Sequence, residues 1–431
     1  MDFAFDTEQE ALRDAVRGFL TKAYETSETR RAVVGEDPGW KADTWQRLAE
    51  MGVLGLPFAE EDGGMGAGPV EVSIVAEEIG RVLAGGLISA VGTDQQRGEL
   101  LPAIAEGTLI PAFAGNEPAG RWSVAAQAVT ASESDGGWTL TGVKEPVLGG
   151  ARADVLVVTA KAGEGTALFT VTAAASDLTR DGYKTHDGGR AARVTFDKTP
   201  ATPLGEAGID QTAAIEEAVA RAQIAYCHEA VGAMEIALET TTAYLKTRKQ
   251  FGVTLNTFQA LKFRAADMYV SLELAKSMTS WATLVLDATS TGTVQAAEIG
   301  EAASRAKLIV SRTSRHIGQE AIQLHGGIGM TAEYSVGHYV SRLTALDHTL
   351  GDGREHLSKL AADIGDHAWS TPSADPVGGF VGRGGDPSRT RKSSLTLAAF
   401  RPWGSWVRFR RATGCVNGRA RRRFQNTGDD R

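Results

Sequence analysis

The 431-residue chain reads as an α+β protein, mainly helical, in the order helix, β, helix. Three observations carry that reading. Apolar residues recur at helical spacing over residues 1–110 and again beyond about 206. Between them, residues 111–205 hold short runs rich in Val, Thr and aromatics, bounded by Gly or Asp. After about residue 368 both periods stop and Gly, Ser, Pro and Arg take over. The expected organisation is an N-terminal all-α domain (1–110), a small antiparallel β domain of barrel or sandwich type (111–205), a C-terminal helical bundle (206–367) and a basic tail (368–431).

Element by element, Thr7 followed by Glu10 fits a capping box, and Leu12, Ala15, Val16, Phe19 and Leu20 then share one helical face. A second helix is expected over 44–51, stopped by Gly52. The Gly-rich stretch GLPFAEEDGGMGAG leads into a helix, VEVSIVAEEIGR. No strand precedes Gly63, Gly64 and Gly66 and no Lys-Ser/Thr follows, so they match a phosphate loop poorly. Strands are expected at AQAVTA, WTLTG, DVLVVTA, ALFTV and ARVTF. Helices are then expected near 211–247, 256–288, 293–323, 334–347 and 352–365, a four-helix bundle with caps.

Composition narrows the function. With 42% apolar and 23% charged residues the chain suits a soluble globular protein of two or three domains. No apolar run approaches the roughly 18 residues a membrane span needs. The acidic start, MDFAFDTEQEAL, lacks an apolar signal core, so the cytoplasm is the expected location. Cys227 and Cys415 make neither a disulfide framework nor a metal cluster, and no paired-Cys or HExxH spacing accompanies His325 or His348, so no metal is expected.

The net charge of −8 is unevenly spread. Residues 371–431 carry thirteen cations against four carboxylates, or +9, which leaves −17 for the rest. Such a tail suits nucleic acid or anionic lipid. Nothing in it buries enough surface to offset the entropy of ordering, so disorder is expected and no nucleic-acid partner is assigned. A frameshifted or run-on C-terminus stays open.

The most specific words are R-K-Q-F-G at 248–252 with F-Q at 258–259, and Q-L-H-G-G-I-G-M-T at 323–331. Together these blocks resemble the flavin-dependent acyl-CoA dehydrogenases over roughly residues 1–365. The resemblance implies FAD, with Arg248 on its pyrophosphate across a subunit boundary, where a guanidinium fork suits a diphosphate. It further implies Gln250, Phe251, Gln259, Gln323, Gly326 and Gly327 along the adenosine half, and His325 packed near the cofactor. On the flavin-ring side, FAGNEP at 113–118 resembles the family's first β-domain run, which points to Phe113 and Asn116. Asn116 stands where a hydroxyl is usual. In the companion run, GVKEPVLGG, Pro146 replaces a Trp and Leu148 a Thr.

The resemblance also places the catalytic base, and here the chain departs from it. A Glu usually stands 24 residues beyond the first Gly of the Gly-Gly pair, which is Leu350, followed by Gly351. Other relatives place the base 26 residues before the Arg, which is Ala222. Neither residue takes a proton. A substrate-contacting Arg is expected at Gln223, with Arg221 nearby. The substitute bases are Asp347, one helical turn from Leu350, then Glu229, Glu217 and Asp352.

Three readings follow. The chain resembles the non-catalytic member of the heteromeric acyl-CoA dehydrogenases of actinobacterial steroid catabolism, a base-less subunit paired with a catalytic paralogue. The second reading is a self-sufficient homo-oligomer, dimer or tetramer, using Asp347. The third is a flavin-free scaffold. The resemblance implies an acyl-CoA substrate and an electron-transfer flavoprotein as acceptor.

Overall fold

The computed structural model describes residues 6–362, apart from 25–26, 38, 77–82, 135–136, 291–295 and 332–333. The tail expected to be disordered, the end of the last expected helix and the EEIGR part of the helix expected at VEVSIVAEEIGR lie outside the described residues.

Among the described residues six α-helices come first: α1 (Thr7–Ala23), α2 (Ser27–Gly35), α3 (Ala42–Glu50), α4 (Pro69–Ala76), α5 (Leu83–Val91) and α6 (Asp94–Ala105). The first begins one residue earlier than its expected capping box. Asp6 is the N-cap: its carboxylate accepts from the Glu8 and Gln9 N–H groups while the Gln9 side chain accepts the Asp6 N–H. Asp caps as well as Thr, and this frame makes the box reciprocal with Gln rather than Glu. Gly52, at φ +74°, ends α3 as expected. The Gly63–Gly66 stretch is a packing turn, because a Cβ on Gly64 would meet the Phe58 carbonyl oxygen at 2.2 Å.

Seven strands follow: β1 (Pro111–Ala114), β2 (Thr130–Ser134), β3 (Gly137–Leu148), β4 (Val155–Ala162), β5 (Gly165–Thr172), β6 (Leu178–Lys184) and β7 (Arg190–Pro203). They pair in the order β1-β4-β2-β3-β7-β5, with β6 on β7, and a β4–β5 ladder closes the sheet on itself. The pairing is not wholly antiparallel as expected: β1 runs parallel to β4, and β2 meets β4 in a parallel bridge. Inside sit Leu140, Leu156, Val158, Phe169, Val194 and Phe196.

The sheet also buries an ion pair. Lys144 is fully buried and donates to Glu117 Oε1 at 2.9 Å, the Thr159 hydroxyl at 2.8 Å and the Gly115 carbonyl at 3.0 Å. Glu117 in turn accepts the Gln127, Ala128 and Val129 N–H groups. All three ammonium donors and both carboxylate oxygens are thus engaged, the condition under which a buried pair is tolerated.

A helical bundle completes the described chain. The helices are α7 (Thr212–Thr247), α8 (Gln259–Ser290), α9 (Ala296–His325), α10 (Val336–His348) and α11 (Gly353–Ala362), with a small hairpin of β8 (Lys249–Gln250) and β9 (Val253–Thr254) between α7 and α8. Met234, Met268, Ala303, Ile317 and Leu343 are among its buried centre. Arg342 on α10 ties bundle to sheet, binding both Glu229 oxygens on α7 and Asp187 in the β6–β7 turn. Among the described residues no helix is long and apolar enough to cross a membrane.

Replacing Lys144 by Met strands Glu117 and is expected to cost about 3–5 kcal/mol in urea unfolding. Burial pulls the Lys144 ammonium down to about 8, with Glu117 opposing the shift. In the unfolded chain a lysine keeps its proton to about pH 10.4. Between those values the unfolded state binds more protons, so wild-type stability rises with pH and its advantage over Lys144→Met widens. An advantage that shrinks over that range contradicts the assignment.

Candidate functional site

The two sequence blocks meet at one end of the bundle. Tyr244, one turn before Arg248, stacks on His325 with ring centroids 4.6 Å apart, and Tyr334 closes on both at 6.1 and 4.9 Å. His325 Nδ1 lies 2.8 Å from the Ala321 carbonyl, so that nitrogen carries the hydrogen. Burial lowers the imidazole's pKa, against the opposing pull of that hydrogen bond. His325 is therefore held as a neutral, packed ring.

Arg248 ends α7 in extended conformation and starts the hairpin. Gln250 pairs with Val253, so Phe251 and Gly252 form a two-residue loop. Their φ values are +53° and +81°, the combination a type I′ turn needs. Asn-Gly suits that turn; Phe at positive φ is an outlier that costs about 1–3 kcal/mol. Phe251 is nevertheless 90% exposed, touching Phe258 edge-on at 6.1 Å.

Arg248, Gln250, Gln259, Gln323, Gly326 and Gly327 are all exposed at or beside this end. Among the described residues the Arg248 guanidinium has no ion pair or hydrogen bond, and a Cβ on Gly326 or Gly327 would meet nothing within 4 Å. An open guanidinium beside bare backbone is what a nucleotide diphosphate requires, so these residues fit the adenosine half of FAD.

The second focus is the turn between α10 and α11. Helix α10 ends at His348, and Leu350 lies beyond it with φ +56°. Asp347 and Leu350 therefore do not share a helical face, contrary to the expected one-turn spacing. The side chain of Leu350 packs against the apolar junction of Phe58, Leu87, Val157, Leu168 and Ile215, as does Phe113. Gly351, at φ +113°, has no room for a side chain: a Cβ would meet His356 Nε2 at 2.5 Å.

Three elements grip this turn by its carbonyls. The Trp122 indole, from the β1–β2 loop, donates to His348 O at 2.9 Å. Gln223 on α7 donates to Leu350 O at 2.6 Å. Lys307 on α9, fully buried, donates to Leu346 O at 2.8 Å and Thr349 O at 2.9 Å. Gln223, expected to contact substrate, instead spends its amide on the turn. Sequence reasoning passed over Trp122 and Lys307; the available signal was a lysine on the apolar stripe Ala303, Ala306, Val310 of α9.

Every substitute carboxylate is engaged. Asp347 pairs with Arg315 at 2.9 Å. Glu229 is bound by Arg342. Glu217 pairs with Arg221 at 2.7 Å, one turn along α7, which also occupies the candidate substrate arginine. Asp352 caps α11, accepting the Arg354 and Glu355 N–H groups. Ala222 is buried within α7.

On the sheet side, Asn116 is half-buried and its backbone carbonyl accepts the Glu145 N–H. Pro146 sits at a break in the β3–β7 register, where its missing N–H costs no ladder bond. Leu148, at the strand end, is 45% exposed. These positions present no aromatic wall or hydroxyl to a flavin ring. Among the described residues no group of three or more potential metal ligands occurs.

The acyl-CoA dehydrogenase N-terminal domain matches residues 6–108 and the C-terminal domain residues 212–363. The short-chain-specific acyl-CoA dehydrogenase of Clostridium acetobutylicum is 30% identical over 361 residues, covering 78% of this chain and 92% of that protein. The acyl-CoA dehydrogenase IpdE2 of Mycobacterium tuberculosis is 30% identical over 370 residues, 85% of this chain and 98% of its own. A solved variant of the Tcur3481-Tcur3483 steroid ACAD superposes with a TM-score of 0.74 at 30% identity, covering 83% of this chain and 98% of that one. The chain belongs to the acyl-CoA dehydrogenase family, whose cofactor is FAD, and is an oxidoreductase acting on acyl-CoA or a subunit of one.

Proposed function

We propose that the chain is a base-less subunit of a heteromeric acyl-CoA dehydrogenase, taking part in the FAD-linked α,β-desaturation of an acyl-CoA thioester. The observation that carries this is the α10–α11 turn. It is fixed by Trp122, Gln223 and Lys307, and it presents Leu350 to an apolar junction while Asp347, Glu229, Glu217 and Asp352 are committed elsewhere. Proton removal from the α-carbon needs a positioned base within hydrogen-bond reach. A displacement of about 1 Å can cost 100-fold. The partner subunit then supplies the base.

In this reading Arg248, Gln250, Phe251, Gln259, Gln323, Gly326 and Gly327 hold the adenosine diphosphate half of an FAD across the subunit boundary. Phe113 and Asn116 are the remaining ring-side contacts. FAD, when bound, accepts the hydride from the β-carbon. The likeness to the Tcur3481-Tcur3483 steroid ACAD supports a two-chain assembly and a steroid-type acyl group. Contacts also have a place to form: Phe263, Val270 and Leu274 line one exposed face of α8, and a monomer rarely shows so many neighbouring large apolar side chains. The proposed electron acceptor is an electron-transfer flavoprotein.

One observation favours the self-sufficient reading with Asp347 as base: its Oδ1 is buried and has no hydrogen-bond partner among the described residues. Its other oxygen, however, is held by the Arg315 guanidinium at 2.9 Å.

The chain expressed alone is expected to give no acyl-CoA-dependent bleaching of flavin absorbance. Adding a base-bearing paralogue is expected to give turnover, and Arg248→Gln in this chain to lower the FAD retained by the mixed assembly at least tenfold. Turnover by the chain alone, abolished by Asp347→Asn, contradicts the proposal. Phe251→Asn gives the hairpin the residue its turn prefers and is expected to stabilise the free chain by about 1 kcal/mol. The same change is expected to weaken FAD retention in the assembly. A variant that loses stability instead shows that Phe251 is not strained.

A further inference from the structure

Between α7, α9 and α10 lies a small cavity, lined by Tyr226, Lys307, Ser311, Ser314, Leu346 and Asp347 among others, with about 10 Å³ open to the centre of a water molecule. Its wall holds two buried polar atoms without a hydrogen-bond partner among the described residues, Ser311 Oγ and Asp347 Oδ1. It also holds an ammonium with a hydrogen to spare. Lys307 has three N–H donors and uses two, on Leu346 O and Thr349 O.

Buried polar groups left unpaired are costly, and native interiors rarely keep two in one place. The volume accommodates one small ligand. The charges decide which. Asp347 repels an anion, and Lys307, fully buried with no carboxylate in hydrogen-bond contact, repels a cation. A neutral ligand that both donates and accepts satisfies all three groups.

We propose that this cavity is a built site for one water molecule, which donates to Asp347 Oδ1, exchanges a hydrogen bond with Ser311 Oγ and accepts the third Lys307 hydrogen. The water links the buried cation to a carboxylate that lines the same cavity. Asp347 thereby serves as the electrostatic partner of Lys307, and the pair anchors the α10–α11 turn from below. This assigns the unpaired Asp347 oxygen a structural role and rests on the cavity alone, independent of whether the chain has a catalytic partner.

The test is the sign of one substitution. Val and Ser have similar helix propensity, so Ser311→Val on α9 changes the cavity and little else. If water occupies the site, the variant expels it, strands Asp347 Oδ1 and the Lys307 hydrogen, and lowers the melting temperature of the full chain by several degrees. If the cavity is dry, the added methyl groups fill empty space, remove an unpaired hydroxyl and raise the melting temperature, which overturns the proposal. Should the variant fail to fold, a high-resolution crystal structure of the wild-type chain decides. A single density peak within hydrogen-bond distance of Ser311 Oγ and Asp347 Oδ1 supports the site, and a featureless cavity overturns it. Catalytic readouts enter neither arm.

Discussion

The grip of Lys307 on the carbonyls of Leu346 and Thr349 is the contact on which the rest of the site depends. A lysine buried to this extent, with no carboxylate in hydrogen-bond contact, is costly, since burial penalises its charge and lowers its pKa, with Cys227, Asp347 and Asp352 pulling the other way. The structure retains it because α10 ends there, and terminal helix carbonyls need donors and favour positive charge. With the helix end fixed, Leu350 can hold its left-handed backbone, Gly351 can pass under His356, and Asp352 can start α11. Trp122 and Gln223 then fasten the same few residues to the sheet and to α7. The turn is a junction of three elements, gripped through its backbone carbonyls.

That grip makes a base-less copy physically workable. A chain can lose the carboxylate and keep the fold, because the backbone is held by donors that do not interact with the base. At the other focus, the bundle end keeps a strained Phe251 and exposed glycines, and among the described residues Arg248 has no ion pair or hydrogen bond. Strain and exposure persist where something outside the monomer uses them. One face is thus closed by donors and the other is open, although each holds a non-glycine residue at positive φ. A subunit that lends half a cofactor site to a neighbour would show this asymmetry.

Much of the fold was legible in sequence because its signals are local. The helical periods and the stop at Gly52 each depend on residues a few positions apart, whereas the β8–β9 hairpin stands where only a short loop between helices was expected. Strand β6 was missed because Leu178–Lys184 lies mostly exposed and shows no apolar alternation. The parallel β1–β4 pairing was invisible because register between distant segments leaves no local mark. The candidate site divides the same way. That Arg248 and Gln323 stand at one end is what the resemblance implied, and the Tyr244–His325 stack gives it a physical basis. The grips of Trp122, Gln223 and Lys307 were not legible, since a backbone carbonyl carries no sequence signature. The one-turn relation of Asp347 to Leu350 failed because a leucine at positive φ cannot be anticipated where glycine is the usual occupant.

The most direct measurement is the FAD content per protomer of the chain purified alone, from its visible absorbance and protein concentration. A subunit that offers only the adenosine half of a shared site is expected to retain far less than one FAD per chain, rising to about one per two chains on assembly with a paralogue. One tightly held FAD per chain, bleached by acyl-CoA without any partner, would contradict the account.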